Sequence, residues 1–198
     1  MRVIAGSLKG RRLQPPADRR IRPTSDKLRE TLFNVLAGEV VGARVLDGFA
    51  GTGAVGIEAI SRGAAEVTFV ERTRHGADLI AKNLERCGIR DGYTMIRATM
   101  DAAIERLSGH RFDLVLLDPP YEHAHVGDLL RRVGALLADA GRLVVEHARR
   151  DAMPATTGRL VRSRLVTSGD SALAFYEVGA GTVPDVSPEA ERGGDGDS

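Results

Sequence analysis

The sequence predicts an α/β domain in which a mostly parallel sheet of seven strands closes with an antiparallel hairpin, preceded by an N-terminal β-hairpin and helix. Three observations carry this. From Ala43 onward, short apolar runs alternate with amphipathic stretches of helical length, which implies parallel pairing through right-handed crossovers. The first of those runs leads directly into a glycine-rich loop, Gly48-Phe49-Ala50-Gly51-Thr52-Gly53. The last two β-like runs are separated only by Ser168-Gly169-Asp170-Ser171, too little chain for a crossover and enough for a hairpin turn.

Taken in order, the chain opens on Arg2-Val3-Ile4-Ala5-Gly6 and Gly10-Arg11-Arg12-Leu13, which read as a short hairpin with basic flanks, ended by Pro15-Pro16. A helix is expected from Thr24 or Ser25, a capping hydroxyl followed by Asp26 where the helix dipole favours an anion. Leu28, Leu32, Val35 and Leu36 form its buried stripe, which leaves Lys27 and Arg29 to meet solvent or phosphate. Strands follow at 44–47, 66–71, 93–98, 112–118 and 142–147, with helices at 54–62, 73–86, 100–108 and 125–138 between them. Gly63, Gly88, Gly109 and Gly141 suit the helix ends. A loop over 148–158 precedes the terminal runs at 160–166 and 172–178. Beyond Gly179 the chain is rich in Gly, Pro, Asp and Glu without apolar periodicity and is expected to be disordered. The expected organisation is therefore a basic extension over 1–40, a ligand-binding domain over 41–179 and an acidic tail over 180–198.

The net charge of +1 hides a polarity. Residues 1–40 hold nine Lys/Arg against four Asp/Glu, whereas residues 181–198 hold one Arg against five acids. A basic arm of this kind suits a polyanion. No apolar run approaches the roughly 20 residues of a membrane span, and the N-terminus lacks the order of a signal peptide, so a cytoplasmic protein is expected. The single cysteine, Cys87, excludes an internal disulfide and a Cys-based zinc cluster, and it falls in register with Ala77, Ile80, Ala81 and Leu84 as a buried structural thiol. His123 and His125 have no Cys or acid completing a ligand set, and no metal is expected.

Two stretches carry chemistry. Gly51-x-Gly53-x-x-Gly56, with Glu71 twenty residues after Gly51, matches the pattern that brings a ligand against backbone at a helix start and grips a ribose through its hydroxyls. Asp47, just before the loop, would repel a pyrophosphate and favour the ammonium of a methionine moiety. Charge complementarity thus prefers S-adenosylmethionine (SAM) over a dinucleotide, and the terminal hairpin is the mark of the methyltransferase variant of the Rossmann-like sheet. Gly48, Gly51 and Gly53 form the cradle, and Thr99, the Met100 backbone or Asp101 is left to meet the adenine edge. The second stretch, Asp118-Pro119-Pro120-Tyr121, ends the most apolar run of the chain. Two prolines forbid further pairing and fix a rigid corner where open α/β sheets bind ligands.

Together with Arg22-Pro23-Thr24-Ser25-Asp26 and Arg29-Glu30-Thr31-Leu32-Phe33-Asn34, these motifs strongly resemble the RsmD family of 16S ribosomal RNA guanine-N2 methyltransferases, over residues 1–178. The resemblance implies a class I, SAM-dependent enzyme that methylates the exocyclic N2 of one guanine in the small-subunit RNA, whether naked or within an assembling subunit, and one compact domain makes a monomer the expectation. Asp118 and the Pro119 carbonyl would hold the amine, with Asp118 also near the donor, and Tyr121 would stack on the base, an interaction worth about 1–3 kcal/mol. Arg11, Arg12, Arg19, Arg20, Arg22 and Arg29 are the expected phosphate contacts. Asp-Pro-Pro-Tyr also serves adenine-N6 methylation of DNA, and a close relative of it serves protein glutamine. A non-catalytic RNA-binding assembly protein is the third reading, against which Asp47, Glu71, Asp118 and Tyr121 all stand.

Overall fold

A computed structural model describes residues 1–16, 25–120 and 126–179. After an N-terminal turn, Ser25 caps helix α1 (Asp26–Leu36), its side chain accepting from the Leu28 amide. The strands and helices then alternate: β1 (Arg44–Gly48), α2 (Ala54–Ser61), β2 (Glu66–Glu71), α3 (Arg74–Cys87), β3 (Tyr93–Arg97), α4 (Met100–Arg106), β4 (Phe112–Leu117) and α5 (Val126–Gly134). The chain continues through β5 (Leu137–Ala148), β6 (Thr156–Thr157), β7 (Leu160–Ser168) and β8 (Ser171–Val178).

The sheet order is β3-β2-β1-β4-β5-β8-β7-β6, parallel through β5 and antiparallel beyond it. The expected parallel body and closing hairpin are present, with eight strands in place of seven. The addition is β6, two residues of the expected loop that pair with Leu160 and Val161. The order reverses between β1 and β4, so the loops leaving these two strands diverge and open a crevice at their carboxyl ends.

Side chains alternate across the sheet into two cores. Val45, Phe69, Leu114, Leu116 and Val144 face α1, α2 and α3, whereas Leu46, Val70, Val115, Leu117 and Val145 face α4 and α5. Such burial on both faces is why β1 and β4 read as unbroken apolar runs. Gly56 admits this packing, because a Cβ there would lie 2.3 Å from the Phe69 ring.

The expected N-terminal hairpin is present in short form: Arg2 bridges Arg12, the Val3 amide donates to the Arg11 carbonyl at 2.9 Å and the Gly10 amide to the Val3 carbonyl at 2.9 Å. Two expectations are corrected. The fifth helix ends at Gly134 and not near Ala138, because the Leu136 carbonyl accepts from the Phe112 amide at 2.9 Å and Leu137 pairs with Phe112, drawing an apolar stretch of either reading into the sheet. Helix α1 is rotated from its expected face: Arg29 and Phe33 are buried with Leu28, Leu32 and Leu36, while Val35 is only partly covered. Cys87 is buried as expected, and burial pushes its thiol pKa up. Among the described residues, no helix is long and apolar enough to cross a membrane.

Candidate active site

The loop from β1 to α2 is wound tightly. Phe49, Gly51 and Gly53 all adopt positive φ, at 63°, 55° and 74°. A left-handed phenylalanine is uncommon, and it is held because the Ala50 amide donates to the Val70 carbonyl at 2.9 Å and the Gly53 amide to the Ala50 carbonyl at 2.7 Å. Glu71 braces the loop from the end of β2. Its Oε2 accepts from the Gly51 amide at 3.1 Å, and its Oε1 from the amide and hydroxyl of Thr73. The acid expected to grip a ribose thus meets the glycine loop directly.

Asp47 lies beneath the loop and not at its lip, only 4% exposed. Its Oδ2 accepts from the Gly56 amide at 2.8 Å, in the first turn of α2. Burial raises its pKa from the usual carboxylate range to about 7, against the opposing Gly56 amide, and the charge of Glu71 adds to the rise. A carboxylate so poised near neutrality would be drawn into its ionised form by a cation.

Asp118 follows β4, its amide 3.4 Å from the Gly48 carbonyl, so that the proline corner is fastened to the start of the glycine loop. Asp118 is half-buried, Pro119 is buried and Pro120 is exposed. Tyr121 lies outside the described residues. Asp47 and Asp118 line one cavity of about 20 Å³ with Leu32, Val55, Leu116, Leu117, Val144, Glu146 and Leu173. Parallel register explains the convergence: Asp47 pairs with Leu116, and Leu117 with Val145, so Asp47, Asp118 and Glu146 emerge on the same face from three adjacent strands. Glu146 was not anticipated. Its signal was an acid closing the run Leu143-Val144-Val145, just as Asp118 closes the run of β4.

At the expected adenine end, the Thr99 hydroxyl caps α4 by accepting from Ala102, and Met100 is buried. Asp101 forms an ion pair with Arg132 of α5. Gly48 faces this side, where a Cβ would strike Leu117 at 2.5 Å and approach the Met100 sulfur at 3.2 Å. Among the described residues, no group of three or more His, Cys, Asp or Glu is disposed to hold a metal.

The basic arm divides. Arg11 and Arg12 are exposed on the N-terminal turn, whereas Arg19, Arg20 and Arg22 lie outside the described residues. Arg29 is a correction: it is fully buried, donating through Nη2 to the Arg2 carbonyl at 2.6 Å and to Asp26 at 3.0 Å, with Nε 3.8 Å from Glu58. It is therefore not on the surface to meet phosphate. Glu58, also fully buried, accepts from the amides of Ile4 and Ala5 at 2.7 and 3.0 Å and from Arg62 at 2.8 Å. Asn83 on α3 clasps Gln14 through both its amide and its carbonyl and donates to the Thr52 carbonyl of the glycine loop. The arm is thus pinned to the helices that carry the cradle. An acid inside the apolar stretch of α2 was the available sign that Glu58 has buried partners.

A glycine cradle at the carboxyl end of β1, an acid beneath it, a proline corner at the end of β4 and an antiparallel strand pair beyond β5 define a methyltransferase of the Rossmann-like class. The profile of the family described as conserved hypothetical protein 95 matches residues 1–177, and the chain belongs to that family, the RsmD family. It is 37% identical to a putative rRNA methyltransferase, YlbH, of Bacillus subtilis, over 89% of this chain and 98% of that one. It is 32% identical to the ribosomal RNA small subunit methyltransferase D of Escherichia coli K12, over 89% of each. The solved structure of a putative methyltransferase, yhhF, from Escherichia coli superposes with a TM-score of 0.78 at 32% identity, covering 91% of this chain and 99% of that one.

Proposed function

We propose that this protein transfers the methyl group of SAM to the exocyclic N2 of a guanine in 16S ribosomal RNA of the small subunit. The observation that carries the reading is the meeting of Asp47 and Asp118 in one cavity at the topological switch point, where the two strands diverge. The names of the relatives, which speak of ribosomal RNA and its small subunit, support the RNA as acceptor.

The residues fit SAM. Asp47 carries a carboxyl raised to about 7 by burial and by Glu71, and the positive charge of the methionine end would relieve that excess. Gly48, Gly51 and Gly53 give backbone clearance beside it, and Glu71 stands where a ribose would be held. Thr99 and Met100 close the far end. When bound, SAM supplies an electrophilic methyl group on a sulfonium.

The rest of the chemistry belongs to the chain. An exocyclic amine is a weak nucleophile because its lone pair is delocalised into the ring. Accepting its two hydrogens at the Asp118 carboxylate and the Pro119 carbonyl turns the lone pair out of the ring plane, toward the donor. Asp118 can also take the proton released. Pro119 and Pro120 hold this corner without a conformational cost at the moment of reaction. Tyr121 stacks on the base, and Arg11, Arg12, Arg19, Arg20 and Arg22 contact phosphates, so that residues 1–40 act as the RNA arm of the domain over 41–179.

Labelled methyl from SAM, offered to small subunits, to naked 16S RNA and to DNA and followed by nucleoside analysis, tests the reading. N2-methylguanosine is the expected product, from RNA only. Asp118→Ala should lower the rate by roughly 10²–10⁴-fold while SAM binding persists. Label appearing as N6-methyladenine, or undiminished transfer by the variant, would overturn the proposal.

A further inference from the structure

We infer that Asn83 is a positioning residue that couples the two substrates. It ties the seat of the basic arm to the glycine loop, so that RNA held by the arm tightens the methyl donor in its cradle and the donor tightens the RNA. The inference rests on the reading above, in which the arm meets phosphates and the loop holds SAM.

Asn83 is fully buried on α3. Its Oδ1 accepts from the Gln14 amide at 2.7 Å, while its Nδ2 donates to the Gln14 carbonyl at 3.2 Å and to the Thr52 carbonyl at 2.9 Å. One planar side chain thus joins the end of the N-terminal hairpin to the glycine loop, and turning it away from either segment would strand a buried donor or acceptor. Thr52 sits between Gly51 and Gly53, both at positive φ. Glu71 holds the Gly51 amide and the Ala50 carbonyl holds the Gly53 amide; Asn83 holds the carbonyl between them. The arm reaches the same residue a second time. The Thr52 hydroxyl lies 3.8 Å from the Met1 sulfur, and the Met1 carbonyl accepts from the Leu13 amide at 3.3 Å. Both ends of the hairpin therefore converge on Thr52, which is itself buried.

Arg11 and Arg12 precede Gln14 in the chain, and Arg19, Arg20 and Arg22 follow it. Phosphates gripped on both sides of Gln14 fix its backbone, the fixed backbone fixes the Asn83 amide, and that amide fixes the loop. Glycines give the loop more backbone freedom to lose than other residues would. A donor that meets a loop already held has less of that freedom to remove and binds more tightly. The effect is reciprocal, because linkage requires the donor to raise RNA affinity by the same factor.

The test uses the full chain, S-adenosylhomocysteine as an unreactive stand-in for SAM, and 16S RNA whose target nucleotide lacks its base. No base then touches the donor, and any coupling passes through the protein. Calorimetry gives the affinity for each ligand with and without saturating amounts of the other. In the wild type each should tighten the other by the same factor, about 5-fold or more, and RNA should slow hydrogen exchange at the Gly51 and Gly53 amides. Asn83→Leu, of similar shape and without polar atoms, should remove both the mutual tightening and the slowing. Gln14→Pro deletes only the amide hydrogen that Asn83 accepts, in a stretch that already continues with Pro15-Pro16, and should weaken the tightening with every arginine of the arm in place. A merely structural asparagine would lower both affinities and leave the factor as in the wild type; that result, in either variant, overturns the inference. A wild type that binds no 16S RNA would fail the functional reading and this inference with it. A wild type that binds both ligands without mutual effect, a measurement that does not depend on how a variant folds, would fail only the role of Asn83.

Discussion

At the residue scale, Asp47 as the proposed donor contact would trade stability for recognition. Its pKa is raised, so the folded protein binds this proton more tightly than the unfolded chain does. The associated stability is fully present below about pH 4, the unfolded value, and is lost as pH rises through about 7. Affinity for a cationic donor should move oppositely, increasing up to about pH 7 and levelling above it. Asp47→Asn should raise the melting temperature of the ligand-free protein at pH 8, flatten both profiles and weaken SAM; calorimetry across pH checks all three. The position of Asp47 against the glycine loop was legible because it closes the first apolar run just before the glycines. Arg29 was misplaced because its face was read from aliphatic residues alone. Phe33, one turn on, is buried on the same side and would have indicated the true orientation.

At the scale of elements, α1, α2 and the N-terminal turn act as a unit around Glu58. Two arginines, one of them stacked on the Phe33 ring at 4.9 Å, and two backbone amides converge on one buried carboxylate. Arg29→Ala leaves that charge short of a partner and should cost about 3–5 kcal/mol in urea unfolding, far more than the loss of a surface phosphate contact would. Gly56→Ala should cost about 1–3 kcal/mol, since helix and strand must part to admit the methyl group beside Phe69. Strand and helix order was legible from periodicity between 44 and 117, where each run is bounded by its own turn residues. Around 134–142 it was not, because Leu136 and Leu137 suit a helix as well as a strand and only pairing with Phe112 decides.

At the scale of the molecule, the site and the arm lie on one framework. The glycine loop, the proline corner and the seat of the arm all depend on the layer formed by α1, α2 and α3 against β1 and β4. If the arm meets phosphates, RNA affinity should fall by on the order of 10³-fold between about 50 and about 200 mM salt, and Arg11→Ala should reduce the slope of that dependence by roughly one. The arm's charge was legible in the sequence, but its seat was not, since Asn83 holds Gln14 across a sequence separation of 69 that no local pattern links. That clasp also orders events during synthesis. As the ribosome extrudes the chain, the first sixteen residues have only Arg29 of α1 to hold until α2 and then α3 have emerged, so the segment made first is among the last to reach its place. Arrested nascent chains exposing only the first sixty residues should therefore leave Gln14 open to protease, and chains exposing the first hundred should protect it.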